Sequence, residues 1–287
     1  MINALTIDVE DYFNVSGFES QIRFEDWGNF ECRAEANTDK LLSILNEYNV
    51  KATFFILGWI AEKFPELVKR IHKEGHEIAS HSYAHRLVYK QNPQEFRDDL
   101  NKSKGILEEI IGEPVIGYRA PSYSITENSL WALDIMMEEG FLYDSSIFPI
   151  RRDRYGIPNA KRFPYRINGK NGSDILEIPL STIKILNNNI PIAGGGYLRL
   201  FPYWFLRWGL NSIVEKENQP IIVYLHPWEI DTNQPRLEGS MLSRFRHYIF
   251  LEKTEPRLKK LLKEFKFGPM RDLLKEYQEK ANIKKND

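Results

Sequence analysis

The chain is predicted to be an α/β protein, built from repeated βα units with parallel strands. Two observations predict this class. Short apolar runs alternate with amphipathic stretches of helical period. The apolar runs also end in polar residues able to do chemistry: Asp8, His81, Arg119, Asp144 and His226. In parallel α/β barrels the C-terminal strand ends form the active face. Five such residues would meet at one centre if the strands close into a barrel.

Along the chain, Ala4 to Ile7 reads as a strand ending at Asp8, and Thr38 to Asn49 as a helix with Leu41, Leu42, Ile44 and Leu45 on one side. Ala52 to Leu57 is a buried-strand pattern. A single helix is expected from Trp59 to Glu74, ended by Gly75, and His76 to Ser80 then delivers His81. Pro93 suits the first turn of a helix that runs to Ile111 and exits at Gly112. Val115 to Tyr118 delivers Arg119, Thr126 caps a helix ending near Gly140, and Phe141 to Tyr143 delivers Asp144. From Ser145 to about Leu200 the rhythm breaks into loops rich in Arg, Pro, Asn and Gly, including Gly194-Gly195-Gly196, with strands such as Ile175 to Ile178. Such a stretch carries binding function or is a decorative insertion. Pro202 to Val214 reads as a helix and Pro220 to Leu225 as a central strand delivering His226. The expected division is a barrel over residues 1–250 and a helical C-terminal extension over 251–287 packed on it.

A chain of 287 residues can bury a large core, and its formal net charge of −1 argues against a dedicated nucleic-acid binder. Cys32 is the only cysteine, so no intrachain disulfide forms and nothing signals an oxidising compartment. Residues 1–8 lack a basic region followed by an apolar run, and no stretch approaches the roughly 18 apolar residues of a membrane span. The expected location is the cytoplasm. Oligomeric state is not readable.

Four constellations carry chemistry. In His81-Ser82-Tyr83-Ala84-His85, histidines at i and i+4 share one face of a helical turn and can bind one divalent metal; such pairs also arise by chance on solvated helices. His76 reads as structural. Asp8, Glu10 and Asp11 put three carboxylates in four positions, which repel one another unless a cation or a proton compensates. A solvated acidic turn is the rival reading, weakened by Leu5, Ile7, Tyr12 and Phe13 on either side. His226 in His226-Pro227-Trp228-Glu229 is a satisfied core residue or a proton donor, histidine's ordinary pKa being about 6.5. Arg119 in Arg119-Ala120-Pro121-Ser122-Tyr123 holds a carboxylate or makes a surface salt bridge.

Together and in this order, these motifs resemble the polysaccharide deacetylase family (carbohydrate esterase family 4, the NodB-homology fold) over roughly residues 3 to 230. The opening Asn3 to Phe13 is similar to a subgroup associated with exopolysaccharide and exosortase gene clusters. The resemblance implies a distorted (β/α) barrel with seven parallel strands and one divalent metal ion, zinc. It implies removal of N-acetyl groups from an amino sugar of a polysaccharide or its precursor, with release of acetate. Asp8 would be the catalytic base, Arg119 its orienting partner and His226 the general acid. His81 and His85 would be metal ligands. The third ligand is Asp11, favoured as the shorter residue in the loop, with Glu10 as the alternative because strand alternation puts it on the side of Asp8. Tyr123, Ser122, Asp144 and Trp228 would line the substrate site, and a backbone N–H of Ser122 or Tyr123 would face the oxyanion. Trp228, Tyr197 and Trp59 are candidates for stacking on sugar rings or for the core. The chain departs from the family in the residues between Asp8 and Asp11, in Ser122 before Tyr123, and in Tyr224 two residues before His226. Rival readings are an allantoinase-like cyclic amidase and a catalytically inactive carbohydrate-binding protein on the same fold.

Overall fold

The computed structural model describes residues 2–152 and 155–286. Strand β1 (Asn3–Val9) is buried along its whole length. It is followed by helix α1 (Ala34–Glu47), strand β2 (Thr53–Ile56), helices α2 (Gly58–Lys63) and α3 (Pro65–Lys73), and strand β3 (Glu77–Ser80). Helix α4 (Pro93–Ile111), strand β4 (Gly117–Tyr118), helix α5 (Trp131–Glu138) and strand β5 (Tyr143–Asp144) continue the alternation. The less regular stretch holds β6 (Tyr165–Asn168), β7 (Asp174–Glu177), β8 (Thr182–Ile185), β9 (Asn188–Pro191), α6 (Gly196–Leu200) and α7 (Tyr203–Asn211). Strand β10 (Ile222–Leu225), helices α8 (Met241–Tyr248) and α9 (Thr254–Glu264), strand β11 (Phe267–Gly268) and helix α10 (Met270–Asn286) complete the order.

Seven strands lie parallel in the order β10-β1-β2-β3-β4-β5-β7. This is the expected parallel α/β architecture, curled into a half-barrel. Strand β6 pairs antiparallel with β7 at the far edge, and β8 and β9 form a separate hairpin. The gap between β7 and β10 is spanned by single contacts: Ser181 N–H donates to Ile222 O (3.3 Å), Tyr224 N–H to Ala193 O (2.8 Å) and Gly195 N–H to Tyr224 O (3.1 Å). Gly194 is needed there, because its φ is +134° and a Cβ would sit 1.9 Å from the Tyr224 carbonyl oxygen.

The core has two layers. Helix faces such as Leu41, Leu42, Ile44 and Leu45 of α1 cover the outside of the sheet. Inside the curl, Ala4, Phe55, Ala79, Tyr143, Leu176 and Ile222 pack on Met270, Leu273 and Leu274 of α10. The C-terminal tail therefore closes the floor of the barrel, and β11 adds to the start of β1. The single helix expected from Trp59 to Glu74 is two helices, because Pro65 has no N–H to continue the ladder and starts a new first turn. Helix α4 has the predicted limits. The Asn92 side chain accepts from Gln94 and Glu95 N–H at one end, and Gly112 takes φ +71° at the other.

Candidate active site

The site lies at the C-terminal ends of β1, β3, β4 and β10. Alternation on β1 turns Thr6 and Asp8 into the curl, and Glu10 follows them on the same side just beyond the strand end. Arg119, directly after β4, is fully buried. Its Nη1 donates to Asp8 Oδ1 (2.6 Å) and Thr6 Oγ1 (2.7 Å), and its Nε and Nη2 donate to Ser145 O and Oγ (3.3 and 3.0 Å). The guanidinium also stacks over the Phe55 ring at 4.1 Å. One oxygen of Asp8 is thus pinned by charge. The other, Oδ2, faces Tyr123 Oη (3.5 Å) and His226 Nε2 (4.0 Å).

Three histidines converge on Glu10. Its Oε1 lies 3.2 Å from His81 Nε2, 3.4 Å from His85 Nε2 and 3.5 Å from His226 Nε2. Burial opposes ionisation of Glu10, but the charges of His85 and His226 and the contact with His81 outweigh it and hold the carboxyl well below its usual range.

Asp11, the favoured third ligand from sequence, is elsewhere. Its Oδ2 accepts from the N–H groups of Arg33 (2.5 Å) and Ala34 (2.8 Å), and its Oδ1 from Tyr12 N–H (2.8 Å). It caps the start of α1 from a distance of more than twenty residues and points away from the histidines. The residue that meets them is Glu10, the former alternative. The physical reason is that Glu10 continues the inward side of β1, whereas Asp11 falls on the opposite side, beside unsatisfied helix N–H groups.

The His81–His85 segment is a loop, not the helical turn that i, i+4 spacing suggests. Ser82 and His85 have φ of +71° and +53°. Such backbone is costly unless surrounding contacts hold it. Asp99 on α4 supplies them, accepting from Ser82 Oγ (2.6 Å) and Tyr83 N–H (2.8 Å). The loop's carbonyls at Ser82 and Tyr83 accept from Gly58 and Trp59 N–H (2.9 and 3.1 Å). His81 Nδ1 faces the Arg119 carbonyl at 2.8 Å, an acceptor only, so this nitrogen carries a proton. Its Nε2 then faces a carboxylate oxygen. A second ring proton or a cation between them is required. His85 Nε2 is buried, 3.4 Å from the same oxygen, and makes no hydrogen bond. Two nitrogen donors and one oxygen donor, buried and aimed at one point, fit a divalent ion of the zinc type.

His226 is held from behind. Its Nδ1 meets Glu229 Oε1 at 2.6 Å, and Glu229 is paired with the buried Arg199 (2.9 Å). Burial works against the charged ring, but Glu10, Glu229 and Asp8 outweigh it and push the His226 pKa up to about 9. Trp228 does not face substrate. It is buried and stacks between His226 (5.1 Å) and His247 (4.1 Å), with ring planes within 19°. Asp144 is also displaced from its expected place in the pocket lining. It is fully buried, bonds Ser146 Oγ, and sits beside the equally buried Glu177. Ser122 and Tyr123 do reach the site. Ser122 Oγ bonds Ser16 Oγ (2.8 Å), which lies 3.4 Å from His85 Nδ1. Both residues have positive φ, 51° and 54°. Of the two other stacking candidates, Trp59 joins a ring cluster with Phe13 and Trp27, and Tyr197 packs on Arg152.

The Asp144–Glu177 pair makes a prediction about stability. Burial raises both carboxyls, Asp144 to about 6 and Glu177 well above its ordinary value, so the folded protein binds protons more tightly than the unfolded chain. The stability that Asp144 contributes is complete below about pH 4 and is lost as pH rises through about 6, on the order of 3 kcal/mol. Asp144→Asn should remove much of that loss. Its melting temperature relative to wild type should climb between pH 5 and 8. Parallel melting curves for the two proteins across that range would refute the assignment.

Residues 22–136 match the polysaccharide deacetylase family, and residues 145–275 match a domain of unknown function, DUF3473. The first region contains His81, His85 and Arg119, and the second contains His226, Glu229 and Arg199. A peptidoglycan-N-acetylglucosamine deacetylase of Bacillus cereus is 46% identical over 98 residues, which is 34% of this chain and 36% of that protein. The match thus spans about a third of that relative's length. A putative polysaccharide deacetylase structure from Mycobacterium smegmatis has a TM-score of 0.64 at 21% identity and covers 98% of this chain and 92% of its own. The structure of Puue allantoinase has a TM-score of 0.61 at 14% identity, covering 95% and 88%. These two likenesses concern the fold. Fold and site together define a half-barrel protein with a buried carboxylate–histidine centre at the strand ends. Over residues 22–136 the chain is similar to the polysaccharide deacetylase family.

Proposed function

We propose that this protein hydrolyses N-acetyl groups on an amino sugar of a polysaccharide or its precursor and releases acetate. The observation that carries the proposal is the meeting of Asp8–Arg119, Glu10–His81–His85 and His226 within one buried cluster. The related proteins named as deacetylases of peptidoglycan support the same substrate class. Glu10, His81 and His85 would hold one divalent ion, zinc by the donor set. When bound, such an ion polarises the amide carbonyl and acidifies water.

The chain's own residues supply the rest. Asp8 Oδ2, left accessible by the Arg119 contact to Oδ1, takes the proton from the attacking water. Arg119 fixes that carboxylate in direction. The Tyr123 N–H already donates to Ala120 O (3.0 Å), so the Ser122 N–H is the better placed donor for the oxyanion. As the C–N bond breaks, His226 Nε2 gives its proton to the leaving sugar nitrogen. Glu229 fixes the opposite ring nitrogen and therefore the direction of Nε2. The products are acetate and a free amine.

The test incubates zinc-loaded protein with N-acetylated chitooligosaccharides and peptidoglycan fragments and measures acetate together with the loss of one acetyl mass from the sugar. His226→Ala should lower the rate by about a hundredfold or more. Ring opening of allantoin without acetate release from any sugar would favour the cyclic-amidase reading. Inactivity towards both classes, with metal bound, would overturn the proposal.

A further inference from the structure

We propose that the outer face of α8 docks this protein on an anionic lipid surface beside the catalytic mouth. The docking stands on its own observations; its consequence, that the glycan is met at a membrane, rests on the deacetylase reading.

Helix α8 has two unlike faces. Its inner face is fixed: His247 is buried, its Nε2 meets Gln234 Oε1 at 2.7 Å, and its ring lies on Trp228, which in turn lies on His226. Ser240 caps the first turn by accepting from Ser243 N–H (3.1 Å). The outer face presents Met241, Leu242 and Phe245 to solvent, exposed by 88%, 55% and 54%. Arg244 and Arg246 are exposed between and after them, and the helix contains no acidic residue. Arg199 donates to the carbonyls of Arg246, His247 and Ile249, so the exposed Leu200 and Phe250 are carried at the same end of the helix.

The position of this face is the second part of the argument. Gly17 lies against Ser243, and the Phe18 ring packs on His247 and Tyr248. Ser16, at the start of that same turn, reaches Ser122 and His85 in the site. The apolar face is therefore one turn of chain from the catalytic residues.

Scattered exposed apolar residues are ordinary, but adjacent large ones mark an interaction surface. The chemistry here selects the occupant. A glycan platform needs flat rings flanked by hydrogen-bonding groups, and only Phe245 of the three has a ring. Flexible apolar side chains bracketed by arginines match the boundary between acyl chains and anionic headgroups. From Arg236 to Phe250 there are three arginines and one acid, Glu238, in a chain whose net charge is −1. That local excess is complementary to an anionic lipid surface. No described helix is long and apolar enough to cross a membrane, so the contact would be peripheral.

The experiment is cosedimentation of the full chain with vesicles of phosphatidylglycerol and phosphatidylcholine, and with phosphatidylcholine alone. Binding is expected to the anionic vesicles, weakened several-fold by raised salt. The triple variant Met241→Ser, Leu242→Ser, Phe245→Ser should bind roughly tenfold more weakly. Its acetate release from a soluble substrate should equal wild type, which separates this test from that of the deacetylase reading. Absence of binding to anionic vesicles, or equal binding by the triple variant, overturns the proposal. So does a solution dimer that the triple variant dissolves without any vesicle binding by wild type.

Discussion

On the proposed function, Glu10→Gln should abolish divalent-metal binding and acetate release, while Asp11→Ala should do neither directly. Among the described residues Glu10 is the one carboxylate that touches both His81 and His85, so neutralising it leaves two nitrogen donors and removes the negative charge that would balance a bound ion. Even residues that only orient ligands alter metal affinity by about 10- to 100-fold, and loss of a ligand itself should cost at least about a hundredfold. The rate should fall by about a thousandfold or more at limiting metal, since polarisation of the carbonyl is lost. Asp11→Ala instead uncaps α1, leaving the N–H groups of Arg33, Ala34 and Tyr12 without their acceptor. The expected effect is a stability loss of about 2 kcal/mol with metal content near one per chain. Metal analysis after dialysis, read beside thermal melting, checks both arms. If Asp11→Ala emptied the site and Glu10→Gln kept it full, the ligand set would have to be redrawn.

That contrast shows where sequence reading stops. The strand ends were legible, because an apolar run followed by Asp8, His81, Arg119 or His226 states where each strand meets the active face. The parallel run β10-β1-β2-β3-β4-β5-β7 agrees with the α/β class that the sequence predicts. Glu10 and Asp11 differ by one position, and the choice between them depends on which side of the chain finds the free N–H groups of α1. Those groups belong to residues 33 and 34 and leave no local trace near residue 11. Asp99 is hidden in the same way. It reads as an ordinary helix acid, yet it holds the left-handed turn at Ser82 from another element. Glu229 was within reach, three residues after His226, where an acid can fold back onto the ring. Its partner Arg199 could not be foreseen, since the pairing exists only once α6 lies against the end of α8. Asp144 and Trp228 show the converse error. Residue type suggested a pocket role, but the short strand β5 turns Asp144 into the core and the 3-10 turn Pro227–Ile230 turns Trp228 behind His226.

The Arg119–Asp8 pair should separate stability from catalysis. Both side chains are buried, at 2.6 Å, and no water can replace either partner. Arg119→Met leaves Asp8 without its countercharge in a dry site and should cost about 3–5 kcal/mol of stability. Asp8→Asn leaves the guanidinium with Thr6 and Ser145 as neutral acceptors and should cost less. In the double variant neither charge is stranded, so its stability should recover a large part of the Arg119→Met loss. A double-mutant cycle on urea unfolding reads this coupling directly, and contacting buried pairs give non-additivity of about 0.5–3 kcal/mol. Activity should show no such recovery. Each of the three variants lacks the oriented carboxylate that the proposed function assigns as base, and each should lose about 10²- to 10⁴-fold in kcat, with little change in KM. Stability regained without activity is what a base and its orienting partner require. An Arg119→Met protein that kept both its stability and its rate would remove Asp8 from the role of base, because Arg119 makes the shortest contact to its carboxylate among the described residues, 2.6 Å to Oδ1.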